Sequence, residues 1–102
     1  MKHSVPLPAY LPAGQIAAVE VAGQALALAR VAGTWHVFRD FCPHEGCSFS
    51  GQGSIEDGEI VCHCHFATFD LATGTRRRGP VFEPVEVFAT TFDGTRLEVE
   101  FP

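Results

Sequence analysis

A chain of 102 residues with 46% hydrophobic side chains can bury one compact core but not two. Its formal charge of -5, with only seven Lys and Arg, argues against a nucleic-acid or anionic-membrane surface, since both need clustered positive charge. No apolar run approaches the roughly 18 residues of a membrane span, and MKHSVPLPAYLPAGQ has no uninterrupted apolar core of the secretory kind. The expectation is a soluble, cytoplasmic, monomeric domain that meets proteins or small molecules.

In chain order, IAAVEVAG (16–23) and QALALAR (24–30) alternate small or apolar residues around a Gly-Gln turn, which predicts a hairpin. A helix within Ala13 to Ala32 is the weaker alternative. TWHVFRD from Thr34, EIVCH from Glu59, ATFDL from Ala67, VEVFATTF from Val85 and TRLEVEF from Thr95 follow as short strands rich in β-branched and aromatic residues, several of them separated by DG or TG turns. No longer stretch keeps a helical apolar face free of Gly and Pro. These elements predict an all-β sandwich or small barrel, with Trp35, Phe38, Phe88 and Phe92 as sheet packing. Arg76-Arg77-Arg78, the only basic run, reads most simply as a solvated loop, with docking as the other possibility. The charge is uneven: three basic and three acidic residues up to Gly51, then four basic against nine acidic. The second half carries the negative field, so a partner that docks there would be basic.

All four cysteines and three of the five histidines fall between Cys42 and Asp70. Cys42 and His44 form C-x-H, seventeen residues intervene, and Cys62 and His65 form C-x-x-H. Two thiols and two imidazoles at loop spacing make a metal set, because thiolates and imidazoles suit zinc and iron-sulfur centres. Random placement in a core, or two structural disulfides, would not put a histidine so close after each of these cysteines. One tetrahedral Zn2+ and a [2Fe-2S] cluster both take two thiolates and two imidazoles. The spacing favours iron-sulfur, because each loop supplies one ligand of each kind and no helix is apparent to carry a histidine pair. His63 is read as lying outside the ligand set, and His3 and His36 as unrelated to it.

At this point the sequence resembles the Rieske family, whose C-x-H and C-x-x-H pattern is met by Cys42, His44, Cys62 and His65. The likeness extends to Gly46, to SGQGSIEDG, to FDLATG and to GPVFEPVEVF, and so covers essentially the whole chain. It implies a Rieske-type antiparallel β sandwich or barrel over residues 1–102, with a cluster-binding loop subdomain at about 40–82. It also implies one [2Fe-2S] cluster, with Cys42 and Cys62 on the inner iron and His44 and His65 on the outer one, nearer solvent. Cys47 and Cys64 fall where the Rieske proteins of cytochrome bc complexes and arsenite oxidases place a disulfide between the two cluster loops; buried free thiols are the alternative. Pro80 and Pro84 correspond to the family's covering loop. Phe66 stands where a glycine is common, and His63 where a proline is common. The high-potential members carry a serine and a tyrosine where this chain has Ala67 and Phe69. Without those hydroxyl donors the reduced cluster is less stabilised, so a potential in the lower part of the Rieske range is expected.

The function this resemblance implies is one-electron transfer, not catalysis: a ferredoxin that takes an electron from a reductase and passes it to a terminal oxygenase or similar enzyme. A small Rieske subunit of an arsenite oxidase or nitrite reductase type complex is the alternative. A structural zinc-binding module is the third reading.

Overall fold

The computed structural model describes residues 1–43, 47–64, 66–79 and 83–101. Among these residues ten strands are built from the short β-prone segments: β1 (Lys2–Val5), β2 (Ala17–Val21), β3 (Gln24–Val31), β4 (Thr34–Arg39), β5 (Gly53–Glu56), β6 (Glu59–Cys62), β7 (Ala67–Asp70), β8 (Arg76–Arg78), β9 (Val87–Phe92) and β10 (Leu97–Glu100). One short helix, α1 (Phe49–Gln52), interrupts them. The strands form two antiparallel sheets, of order β1-β10-β9-β4-β3-β2 and β5-β6-β7-β8. The edge strands β1 and β2 of the larger sheet come into contact, so that sheet curls round on itself. The expected all-β architecture is the one observed.

Alternation along β3 and β4 explains how the sheets are joined, because successive side chains of a strand point to opposite faces. Leu26 and Leu28 of β3, with Trp35 and Val37 of β4, face the interior of the curl, together with Val5, Val21, Phe88, Leu97 and Val99. Ala27, Ala29 and Phe38 face the other way, against Ile60 of β6, Ala67 and Phe69 of β7, and Phe49 of α1. β3 and β4 are therefore buried on both faces, which their sequence shows as QALALAR and TWHVF with little polar relief. Phe38, Phe49 and Phe69 meet edge to face, with centroids 5.6 and 6.0 Å apart, and fix the distance between the two sheets. Trp35, Phe38 and Phe88 are buried, and Phe92 packs against the curl's interior, as expected for sheet packing.

The structure corrects the sequence reading at several places. No helix forms between Ala13 and Ala32; the hairpin does, and its turn lies at Ala22-Gly23, one residue earlier than the Gly-Gln pair, with φ of 50° and 79°. Positive φ at both central residues gives the twist that a two-residue hairpin needs. Arg76–Arg78 is not a loop but the edge strand β8, paired with β7 across a register shift at Thr68/Phe69. Arg77 bonds Asp70 at 2.7 Å and lies 3.9 Å from Glu59, so the run's middle charge is spent within its own sheet. Charged residues on an edge also discourage pairing with another chain.

The turn after β7 is held by Asp70. Its Oδ1 accepts from the backbone N–H groups of Ala72 and Thr73, while Arg77 bonds its Oδ2. The Arg77 hydrogen bond, followed by the two backbone donors, lowers its pKa below the usual carboxylate value. Its stabilising contribution is therefore present at neutral pH and is lost as pH falls through the lowered pKa. Gly74 closes the turn at φ +79°, donating to Asp70 O and accepting from Val85 N–H at 2.9 Å. A Cβ there would overlap the Val85 carbonyl oxygen, whereas at Gly23, with the same φ, it would meet nothing within 4 Å. Gly23→Ala should cost about 1 kcal/mol from backbone strain alone, and Gly74→Ala at least about 2 kcal/mol more. Thermal unfolding of the two variants measures this, and equal losses would contradict the collision at Val85.

Candidate metal centre

The first cysteine loop leaves the end of β4 under tight backbone control. Arg39 N–H donates to Glu86 O at 2.9 Å, and Asp40 N–H to Ala25 O at 3.1 Å. The buried Asp40 carboxylate then accepts from both the backbone N–H of Ser50 (2.8 Å) and its hydroxyl (2.5 Å). A buried charge needs such partners. The pair clamps the start of α1 to the end of β4, so Cys42 and Cys47 lie between two fixed points. Cys42 N–H donates to Cys47 O at 2.7 Å, which draws the loop's two ends together. α1 is capped by Ser48, whose Oγ accepts from Gly51 N–H.

The second loop starts at Cys62, the last residue of β6, which pairs with Gly53 on one side and Ala67 on the other. His63 N–H donates to Gln52 O at 2.8 Å, so this loop is tied to the end of α1. The His63 ring is half exposed; its Nε2 lies 2.9 Å from Ser54 Oγ, which also donates to Glu56 Oε2 at 2.7 Å. Cys64 is joined to Cys47 by a disulfide across the two loops. A bridge closing a segment of seventeen residues contributes about 3 kcal/mol on the chain-entropy estimate.

Cys42 and Cys62 lie outside that bridge, each 1% exposed, in the same packed cluster as Phe38, Phe49 and Phe69. Cys47 and Cys64 pack half-buried against this cluster. Two loops thus bring two thiols into one apolar environment, closed on the outside by a disulfide. Buried sulfur donors of this kind fit an iron-sulfur centre, which is held by thiolates and shielded from water by its surroundings. His44, His65 and Pro80 lie outside the described residues; Pro84 is exposed. His36, half-buried on β4, has its pKa lowered by burial, and His3 stacks on Phe101 at the far edge of the larger sheet, so neither belongs to the loops. Ala67 and Phe69 are fully buried on the face of β7 that meets the cysteines, and neither carries a hydroxyl.

Three features of the site were not read from sequence. The Asp40–Ser50 clamp joins residues ten apart whose types are ordinary on any surface. Helix α1 has only the signal of Ser48 before FSGQ. Gly79, too, is required by a close approach: a Cβ there would lie 2.7 Å from Ala67 Cα, beside the partner of Cys62.

The comparison with known families agrees with this geometry. The Rieske [2Fe-2S] domain matches residues 2–89. The chain belongs to this family. The cofactor of this Rieske domain is one [2Fe-2S] cluster. The chain is 33% identical to the ferredoxin component of a p-cumate 2,3-dioxygenase system from Pseudomonas putida, over 85% of this chain and 75% of that one. It is 30% identical to the ferredoxin component of a naphthalene 1,2-dioxygenase system from Pseudomonas aeruginosa, over 88% and 86% of the two chains. Among solved structures, the ferredoxin of carbazole 1,9a-dioxygenase from Nocardioides aromaticivorans IC177 superposes with a TM-score of 0.83 at 26% identity, covering 94% of this chain and 93% of that one. A ferredoxin seen in complex with reduced oxygenase in carbazole 1,9a-dioxygenase superposes at 0.79 with 27% identity, over 90% and 94%. No helix among the described residues of this Rieske domain is long and apolar enough to cross a membrane.

The clamp on the first loop can be tested by a double-mutant cycle. Asp40→Ala should cost about 2 kcal/mol, since it leaves the Ser50 N–H without its charged acceptor, and Ser50→Ala about 1 kcal/mol. The double variant should lose clearly less than the two losses combined, because both changes break the same contact. Strictly additive unfolding energies would show that Asp40 and Ser50 do not act together.

Proposed function

We propose that this Rieske domain is the ferredoxin of an oxygenase system, an electron carrier that takes one electron from a reductase and delivers it to a terminal oxygenase or similar enzyme. The observation that carries the reading is the pair of buried thiols on two disulfide-joined loops, in a chain whose relatives are ferredoxin components of dioxygenase systems. Cys42, His44, Cys62 and His65 are the proposed ligands, within a single domain spanning 1–102 whose cluster-binding part is about 40–82. Once bound, the cluster supplies a one-electron couple at higher potential than an all-thiolate centre.

The chain's own residues define the conditions for that couple. Cys42 and Cys62 supply thiolates from the core side, and the Phe38, Phe49 and Phe69 rings keep water from them. His44 and His65 are assigned the outer, solvent-side positions, where an electron crosses to a partner. The Asp40–Ser50 clamp and the Cys47–Cys64 bridge hold both loops still, so little rearrangement accompanies a change of charge. A monomeric carrier that diffuses between two proteins in the cytoplasm fits this role. The bridge is half-buried, which would protect it from cytoplasmic reductants.

The bridge also favours a second reading, a Rieske subunit of an arsenite oxidase type complex. In that case the chain would copurify from cell extract with a larger redox subunit at fixed stoichiometry.

Stopped-flow mixing of the dithionite-reduced protein with the oxygenase components of the p-cumate, naphthalene and carbazole systems tests the ferredoxin reading. At least one oxygenase should be reduced in a second-order step. Its rate should fall as salt rises, because the acidic second half would meet a basic surface. Failure to reduce any of the three, with a stoichiometric complex recovered from extract, would replace the ferredoxin reading with the subunit.

A further inference from the structure

Four large apolar side chains stand out into solvent among the described residues: Met1, Tyr10, Phe41 and Phe66. Phe66 is 70% exposed, directly follows the proposed ligand His65, and takes a φ of +57°. The left-handed conformation is costly for any residue with a Cβ and would be free for glycine. Exposing a benzyl group to water is costly as well. Among the described residues the ring's aromatic neighbour is His63, with centroids 6.4 Å apart and planes at 87°, and the Phe66 side chain stays largely in solvent. Strain and an exposed aromatic at one residue of a functional loop point to a contact made with another molecule.

The ring is also presented by a supported neighbour. His63 is bonded through Ser54 to the Glu56 carboxylate, which is exposed on the same strand and lies 3.8 Å from the His63 ring. An aromatic held by a packed neighbour loses less freedom on binding, which is what makes such residues dominate interfaces. The Glu56 carboxylate beside His63 calls for positive charge opposite.

Building on the ferredoxin reading, we propose that Phe66 is the anchor by which the protein engages its electron acceptor, the oxygenase component. The ring inserts into an apolar socket on the oxygenase rimmed by Lys or Arg that face Glu56. The relative solved with its oxygenase supports that choice of partner over the reductase.

The test uses whichever oxygenase of the p-cumate, naphthalene and carbazole systems the wild-type protein reduces fastest. Phe66→Gly and Phe66→Asn both suit a left-handed backbone and remove the ring; Phe66→Trp keeps an aromatic. The Gly and Asn variants should retain cluster absorbance and midpoint potential, with a Tm no lower than that of wild type. Their second-order rate of oxygenase reduction should fall roughly tenfold to a hundredfold, at low and at high salt alike, the scale of an interface anchor. The Trp variant should stay within about threefold of wild type. Wild-type rates in the Gly and Asn variants, or a loss confined to reduction by the reductase, would overturn the anchor and leave the ferredoxin reading intact. Wild-type protein that reduces none of the oxygenases would remove both.

Discussion

The structure depends on a single constraint: two thiols from loops twenty residues apart in sequence, Cys42 and Cys62, must sit together in an apolar environment without leaving backbone groups unsatisfied. Each loop solves this with local hydrogen bonds. Cys42 N–H reaches Cys47 O in the first, and His63 N–H reaches Gln52 O in the second. The disulfide then joins the loops, and Asp40 fixes the first of them to the larger sheet through Ser50. Remove the joint and Cys42 would be placed from the end of β4 in the larger sheet and Cys62 from the β6–β7 hairpin in a sheet of four short strands, a poorer guarantee of the distance between them.

The larger sheet serves this arrangement by what it omits as well as by what it packs. Ala27 and Ala29 present small side chains to the second sheet, leaving room for Phe38, Phe49 and Phe69 to meet edge to face beneath the cysteines. Leu26 and Leu28, on the opposite face of the same strand, fill the curl. One eight-residue strand therefore builds both cores, and a one-residue slip of its register would exchange leucine for alanine in each.

How much of this was legible in the sequence follows from how local each signal is. β3 and β4 were readable because QALALAR and TWHVF carry their burial pattern within a few residues. The proposed ligand set could be singled out because C-x-H and C-x-x-H are loop spacings that need no knowledge of the fold, and the disulfide followed from family likeness. β8 was not readable: three arginines form a strand only because β7 lies beside them and Asp70 and Glu59 engage Arg77. α1 was too short for any periodicity, and the Asp40–Ser50 clamp pairs residues that mean nothing alone. Phe66 was noticed as a departure from the usual glycine, yet only its φ and exposure show that the glycine-like backbone is kept.

That these loops hold one two-iron centre with mixed thiolate and imidazole ligation is the proposal on which the function rests. It is tested most directly by EPR of the purified protein before and after dithionite reduction, with iron, zinc and acid-labile sulfide measured on the same sample. About two irons and two sulfides per chain are expected, with a signal of mixed ligation that appears only on reduction. Zinc alone, with no signal, in protein made under iron-replete anaerobic conditions would contradict it.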